Sequence, residues 1–132
     1  MIAEKQFSTG QLTTENVIDF VSETIENNGV PLNTATKINI CTDEIVSNIL
    51  NHSNAEFINV KVDIDHNEAT VTISFKDNGK PFNPLTEAPV PDISIPLEER
   101  NEGGLGVFIV KKMMKNVTYQ RHDNCNIFTI GI

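Results

Sequence analysis

The apolar positions of this chain recur with two periods, and the switch between them predicts its elements. Residues 2–8 alternate weakly and predict a first strand. Thr13 or Thr14 then offers an N-cap. Val17, Ile18, Phe20, Val21 and Ile25 follow at helical spacing and predict an amphipathic helix of about 14 residues. Asn27-Asn28-Gly29 ends it, with Gly29 the natural left-handed residue and Pro31 close behind. A second helix is predicted over residues 33–51, with Ile38, Cys41, Ile45, Val46, Ile49 and Leu50 as its core-facing stripe. Two runs of period two come next. Ile58, Val60, Val62 and Ile64 alternate with Phe57, Asn59, Lys61 and Asp63, and Ala69, Val71, Ile73 and Phe75 alternate with polar residues. Together they predict an antiparallel hairpin with one buried face. A third helix is predicted over 105–115, with Val107, Phe108, Val110 and Met114 apolar, then a closing hairpin of 117–121 and 126–132 around Asp123-Asn124. Helices on one face of an antiparallel or mixed sheet make this an α+β fold in two layers.

The length of 132 residues suits one domain spanning residues 1–132. No apolar run approaches the ~18 residues of a membrane span, and the N-terminal MIAEKQFSTG has no apolar signal region. Cys41 and Cys125 lack CxxC spacing, so they read as reduced, buried small hydrophobes of a cytoplasmic protein. The net charge is −8, and Arg100 and Arg121 are the only arginines. Without a basic stripe, nucleic acid is a poor partner. An acidic surface instead favours a basic patch on a partner. Residues 77–104 hold five of the six prolines. Such a long irregular stretch inside a small domain is usually functional or mobile.

Three separated features carry candidate chemistry. Glu44, Asn48 and His52 are spaced by four on the second helix, so they share one face that borders the apolar stripe. That spacing alone equally fits a solvated polar face. Asp77-Asn78-Gly79 directly follows a strand, and alone it is also an ordinary turn. Gly103-Gly104-Leu105-Gly106 opens the third helix. Glycines admit close approach of an anion, and free N–H groups at a helix start favour phosphate. It is neither a Walker A loop, lacking GK[ST], nor a Rossmann loop, lacking the βαβ continuation.

In this order and on these elements, the three features resemble the boxes of the GHKL (Bergerat-fold) ATP-binding superfamily, within it the small anti-sigma-factor serine/threonine kinases. The resemblance covers nearly the whole chain. Glu44-(x)3-Asn48-(x)3-His52 looks like the N box, Asp77-x-Gly79 the first glycine box and Gly104-x-Gly106 the second.

The resemblance implies a two-layer α/β sandwich with three helices on one face and a flexible ATP lid over residues 80–103. It implies ATP or ADP with Mg²⁺. Asn48 would coordinate Mg²⁺, a sensible sole protein ligand when phosphates supply the rest. Glu44 would be the general base on the attacking hydroxyl. Asp77 would accept a hydrogen bond from the adenine amine, aided by Thr129 on the last strand, and Gly79 would let the base pack on the backbone. Gly103, Gly104, Leu105 and Gly106 would line the phosphates. Arg100 is the candidate lid cation for the γ-phosphate, with Lys80 as a weaker alternative. His52 is either a helix-end hydrogen bonder or catalytic.

The activity implied is phosphorylation of a STAS-type anti-sigma-factor antagonist, with sequestration of a sigma factor or equivalent regulator. Two alternatives stay open. One is an ATP/Mg²⁺ module that captures a partner without phosphorylating it. The other is the ATP-binding domain of a sensor histidine kinase. Residues 1–30 hold no histidine and leave room for only one helix before the second, which argues against the latter. The first helix offers a homodimer or partner surface, a face equally explained by packing on the sheet.

Overall fold

A computed structural model describes residues 1–87 and 102–132. Its elements are β1 (Ile2–Ser8), α1 (Thr14–Asn27), α2 (Leu32–His52), β2 (Phe57–Asp65), β3 (Thr70–Asp77), α3 (Pro84–Glu87), α4 (Glu102–Met113), β4 (Asn116–His122) and β5 (Cys125–Gly131). The strands form one sheet in the order β1-β2-β3-β5-β4, and every pairing is antiparallel. The expected two-layer α+β architecture is present, with no parallel pair among the described strands. The chain leaves β3, returns through α4, lays β4 at the sheet edge, and then inserts β5 between β4 and β3.

Local chemistry explains the boundaries. Thr13 caps α1 by accepting from the Asn16 N–H at 3.1 Å. The helix ends in a Schellman motif. Gly29, at φ 75°, donates to the Glu26 carbonyl, and Val30 donates to that of Ile25. The closing hairpin turns through Asp123 and Asn124, at φ 51° and 62°. Two positive φ values in a two-residue loop match the right-handed twist of the flanking strands.

The helix-facing side of the sheet supplies Phe7, Ile58, Val60, Val62, Ile73, Phe75 and Ile130, all buried. Val17, Val21 and Ile25 of α1, Ile38, Cys41, Ile45 and Val46 of α2, and Val110 of α4 meet them. The opposite side carries Lys61, Ser74, Lys76 and Thr129, the period-two partners of those core residues.

Three boundaries differ from the expectation. Leu50 lies outside the core stripe and is 37% exposed. Each helical step is about 100°, so Leu50, one step past Ile49, turns to solvent, while Thr42 is fully buried and returns its hydroxyl to the Ile38 carbonyl. The third helix runs from Glu102 to Met113, not from 105 to 115, so the glycines lie within its first turns instead of in a loop ahead of it. The short helix Pro84–Glu87 was not expected.

Truncating Ile38 and Leu50 separately tests the stripe. Ile38→Ala should cost about 2–5 kcal/mol in chemical denaturation. Leu50→Ala should stay within about 0.5 kcal/mol of wild type.

Candidate functional site

The C-terminal half of α2 places its polar residues along one edge of the core. Asn48 is 8% exposed, yet its amide makes no hydrogen bond to any described residue. Glu44, one turn earlier, is half-buried and partnered. His52, one turn later, is exposed, and its ring stacks on Phe82 with centroids 4.8 Å apart and planes 20° from parallel.

The end of β3 is tied to the end of α2. The Lys80 N–H donates to the Ser53 carbonyl at 2.8 Å, and Gly79 lies so close that a Cβ there would overlap that carbonyl and the Ser53 side chain. Asn78 Oδ1 accepts from the Glu56 and Phe57 N–H groups, and Arg121 Nη1 donates to the Gly79 carbonyl at 2.8 Å. This segment is therefore held at both of its flanks by strand and helix ends.

Asp77 is buried at 1% exposure. Its Oδ1 accepts from the Gly79 N–H at 2.9 Å and from Asn126 Nδ2 at 3.1 Å. Both bonds use one oxygen, which leaves Oδ2 as the acceptor for a ligand. Asp77 and Asn48 line the same cleft, about 410 Å³ with its open mouth included, together with Asn126 and Tyr119. Apart from Ser53 its remaining walls are apolar: Ile45 and Ile49 of α2, Val107 and Val110 of α4, Phe82, Pro84 and Phe128. A largely apolar cleft with a few convergent polar groups is the usual form of a small-molecule site.

The cleft thus brings together two of the expected residues, Asn48 and Asp77. Glu44 and His52 flank Asn48 on its helix face without lining the cleft. Gly79 admits the close approach of Ser53. Gly103, Gly104, Leu105 and Gly106 belong to the helix whose next turn supplies Val107 and Val110. Arg100 lies outside the described residues, and Lys80 has an exposed side chain. Thr129 is on the wrong side of the sheet. It pairs with Ser74, hydroxyl to hydroxyl at 3.2 Å, on the face away from Asp77. Asn126, an inward residue of β5, holds Asp77 instead, and its position three residues before Thr129 reverses the side chain's direction. The parity of Phe128 and Ile130 was the available signal for it.

Among the described residues no group of three His, Cys, Asp or Glu side chains forms a metal cage. The amide oxygen of Asn48, which accepts no hydrogen bond from a described residue, does fit an ion that takes one or two protein ligands and several phosphate oxygens, as Mg²⁺ does.

A model of the histidine kinase-like ATPase domain matches residues 8–132. The chain belongs to that family. This histidine kinase-like ATPase is 26% identical over 95 residues to the serine/threonine-protein kinase BtrW of Bordetella bronchiseptica, covering 70% of this chain and 66% of BtrW. Its fold is similar to that of the RsbU and RsbW domains of a Mycobacterium tuberculosis protein, with a TM-score of 0.68 at 12% identity over 99% of this chain and 32% of that one. It is also similar to a chain of the SiaB-SiaC complex from Pseudomonas aeruginosa, with a TM-score of 0.59 at 10% identity, covering 99% and 88%. The Acinetobacter baumannii histidine kinase AdeS gives a TM-score of 0.56 at 14% identity, covering 100% and 68%.

Cys41, three residues before Glu44, is fully buried. Burial first, and then the Glu44 charge, push its thiol up from 9.0 to about 11. It is therefore a neutral core residue of this histidine kinase-like ATPase and not a nucleophile.

Two outcomes follow. Gly79→Ala should destabilise the protein by about 1–3 kcal/mol, read by denaturant titration, because the added methyl meets backbone that cannot yield. Between pH 9 and about 11 the folded protein keeps the Cys41 proton that the unfolded chain releases, so stability falls as pH rises. Cys41→Ala should remove that component, on the order of 2 kcal/mol across the window, from a comparison of the two denaturation profiles.

Proposed function

We propose that this protein is an ATP-dependent serine/threonine protein kinase of the partner-switching kind. It phosphorylates a STAS-type anti-sigma-factor antagonist and sequesters a sigma factor or equivalent regulator. The observation that carries this reading is the pair of buried groups left for a ligand across one cleft: the Asn48 amide and Asp77 Oδ2. Membership of an ATPase family and similarity to a named serine/threonine kinase support it.

The roles follow from chemistry. Asp77 Oδ2 is an acceptor, so it takes the exocyclic amine of adenine and opposes the carbonyl that guanine offers at that position. Asn48 is the residue that would hold Mg²⁺, which when bound neutralises phosphate charge. Glu44, one helical turn from Asn48, takes the proton of the attacking serine hydroxyl. The serine oxygen bonds to the γ-phosphorus, the bond from that phosphorus to the β,γ-bridging oxygen breaks, and ADP leaves. Such a transfer asks little covalent work of the protein and depends on placement and charge. Arg100 is the residue proposed to meet the γ-phosphate.

Incubation with Mg-ATP and a co-encoded STAS protein, read by mass, should add one phosphate to that protein. Glu44→Ala should slow the transfer by about 10²-fold or more while ATP affinity stays within a few-fold. Persistent transfer in that variant would remove Glu44 from the base role. ATP binding without any transfer by the wild type would favour a module that captures its partner without phosphorylating it. Equal affinity for ATP and GTP would contradict the Asp77 assignment.

A further inference from the structure

The Asn126 side chain spends its whole hydrogen-bonding capacity within the protein. Its amide nitrogen donates to Asp77 Oδ1 at 3.1 Å and to the Lys80 carbonyl at 2.9 Å. Its oxygen accepts from the Phe82 N–H at 3.3 Å and from the Tyr119 hydroxyl. A carboxamide has two N–H donors and two acceptor lone pairs, so all four positions are taken. Asn126 lines the cleft yet keeps nothing to offer a ligand. The orientation of the amide is dictated by its partners. A backbone N–H at Phe82 demands the oxygen end, and a carbonyl at Lys80 demands the nitrogen end.

The four partners come from the end of one strand, the segment after it and the sheet edge, and Asn126 bonds to all of them at once. Asp77 ends β3, Lys80 and Phe82 lie on the segment that leaves it, and Tyr119 stands on the edge strand β4. Phe82 in turn stacks on His52 at the end of α2. A carboxylate read by a base discriminates only if it cannot turn. Left to rotate about its terminal bond, Asp77 would move its charge away from a guanine carbonyl and lose the distinction. The Asn126 donor, with the Gly79 N–H, blocks that rotation by holding Oδ1.

We propose, resting on the nucleotide-binding reading above, that Asn126 is a positioning residue that sets nucleobase selectivity and makes base reading at Asp77 and the seating of Phe82 against α2 one event. Asn126 acts through Asp77 and Phe82 and does not touch the nucleotide. Turning the carboxylate breaks the amide's hold on Phe82, and displacing Phe82 releases the amide that fixes the carboxylate.

Two variants and one reporter test this. Asn126→Asp keeps the shape of the side chain but turns an acceptor toward Asp77 and the Lys80 carbonyl. Tyr119→Phe removes one of the donors that orient the amide and keeps both bonds the amide donates. Calorimetric titration with Mg-ATP and with Mg-GTP gives the affinity ratio, and thermal unfolding verifies that each variant is folded. The wild type should prefer ATP. Asn126→Asp should bring the ratio about tenfold or more toward unity, and Tyr119→Phe about threefold. The chain has no tryptophan and one tyrosine, so Phe82→Trp supplies a single tryptophan at the stack, excited selectively at wavelengths where tyrosine does not absorb. ATP should shift its emission, and saturating ATP should not do so when Asn126→Asp is added.

A folded Asn126→Asp variant with the wild-type ratio would overturn the selectivity role. Should that variant fail to fold, an unchanged ratio in Tyr119→Phe would overturn it instead. An equal emission shift with and without Asn126→Asp would overturn the link to Phe82. A wild type that binds neither nucleotide would sink the nucleotide reading itself, whereas wild-type preference for ATP with unaltered variants would sink only the role of Asn126.

Discussion

The approach of Gly79 to the Ser53 carbonyl joins the two layers at the point where function is placed. The helices and the sheet are held together elsewhere by apolar side chains, which give adhesion without register. At this contact the backbone of the segment after β3 touches the backbone at the end of α2, and the Lys80 N–H bonds to the same carbonyl. The distance between Asn48 on the helix and Asp77 on the strand is therefore set by main chain, not by the packing of side chains. A side chain at residue 79 would push the two elements apart and open the cleft between its two polar walls.

The elements were legible because each has a clean period. β2 and β3 alternate without a break, and the buried positions of α1 and α2 repeat at three and four residues. What the sequence did not disclose was tertiary. That Gly79 faces a helix end depends on where α2 stops relative to β3. The glycines of α4 read as a loop because glycine weakens a helix. They are helical here because the neighbouring apolar residues of that helix, Val110 above all, are packed into the core. The error at Thr129 was one of parity. On a strand, adjacent residues point to opposite faces, so naming the site residue on β5 required choosing a face. A buried face with an asparagine in it was the informative anomaly, and Thr129, a good strand former on an open face, carried no such signal.

The polar residues around the cleft fall into two groups with different physical duties. Asn78, Arg121, Tyr119 and Asn126 are engaged with protein partners and fix the backbone of residues 77–82. Asn48 and the free oxygen of Asp77 are held in place by that framework, or by the helix, and keep their own bonding capacity in reserve. Rigid positioning of a small number of ligand-facing groups by a larger shell of satisfied ones is what a site needs if it is to discriminate between similar ligands. Glu44 stands between these groups: half-buried, partnered, and one turn from Asn48 on a helix whose adjoining face is core.

A sequence shaped only for stability would not leave these features. Asn48 makes no hydrogen bond to a described residue although it is largely buried, and each glycine inside a helix costs about 0.5–1 kcal/mol relative to alanine. Both features occur at the same place, since Asn48 lines the cleft and the glycine-containing helix supplies its facing wall. Other local departures exist among the described residues, since α2 has no side-chain N-cap bond and Ala69 sits at φ 54°, but neither Pro31 nor Ala69 lines the cleft. A ligand bound in the cleft would supply partners to its polar groups and return free energy only when it is bound. An inert scaffold gains nothing from such an arrangement. The cleft is therefore the place in the described molecule where a ligand would find polar groups still able to bond, Asn48 and Asp77 Oδ2.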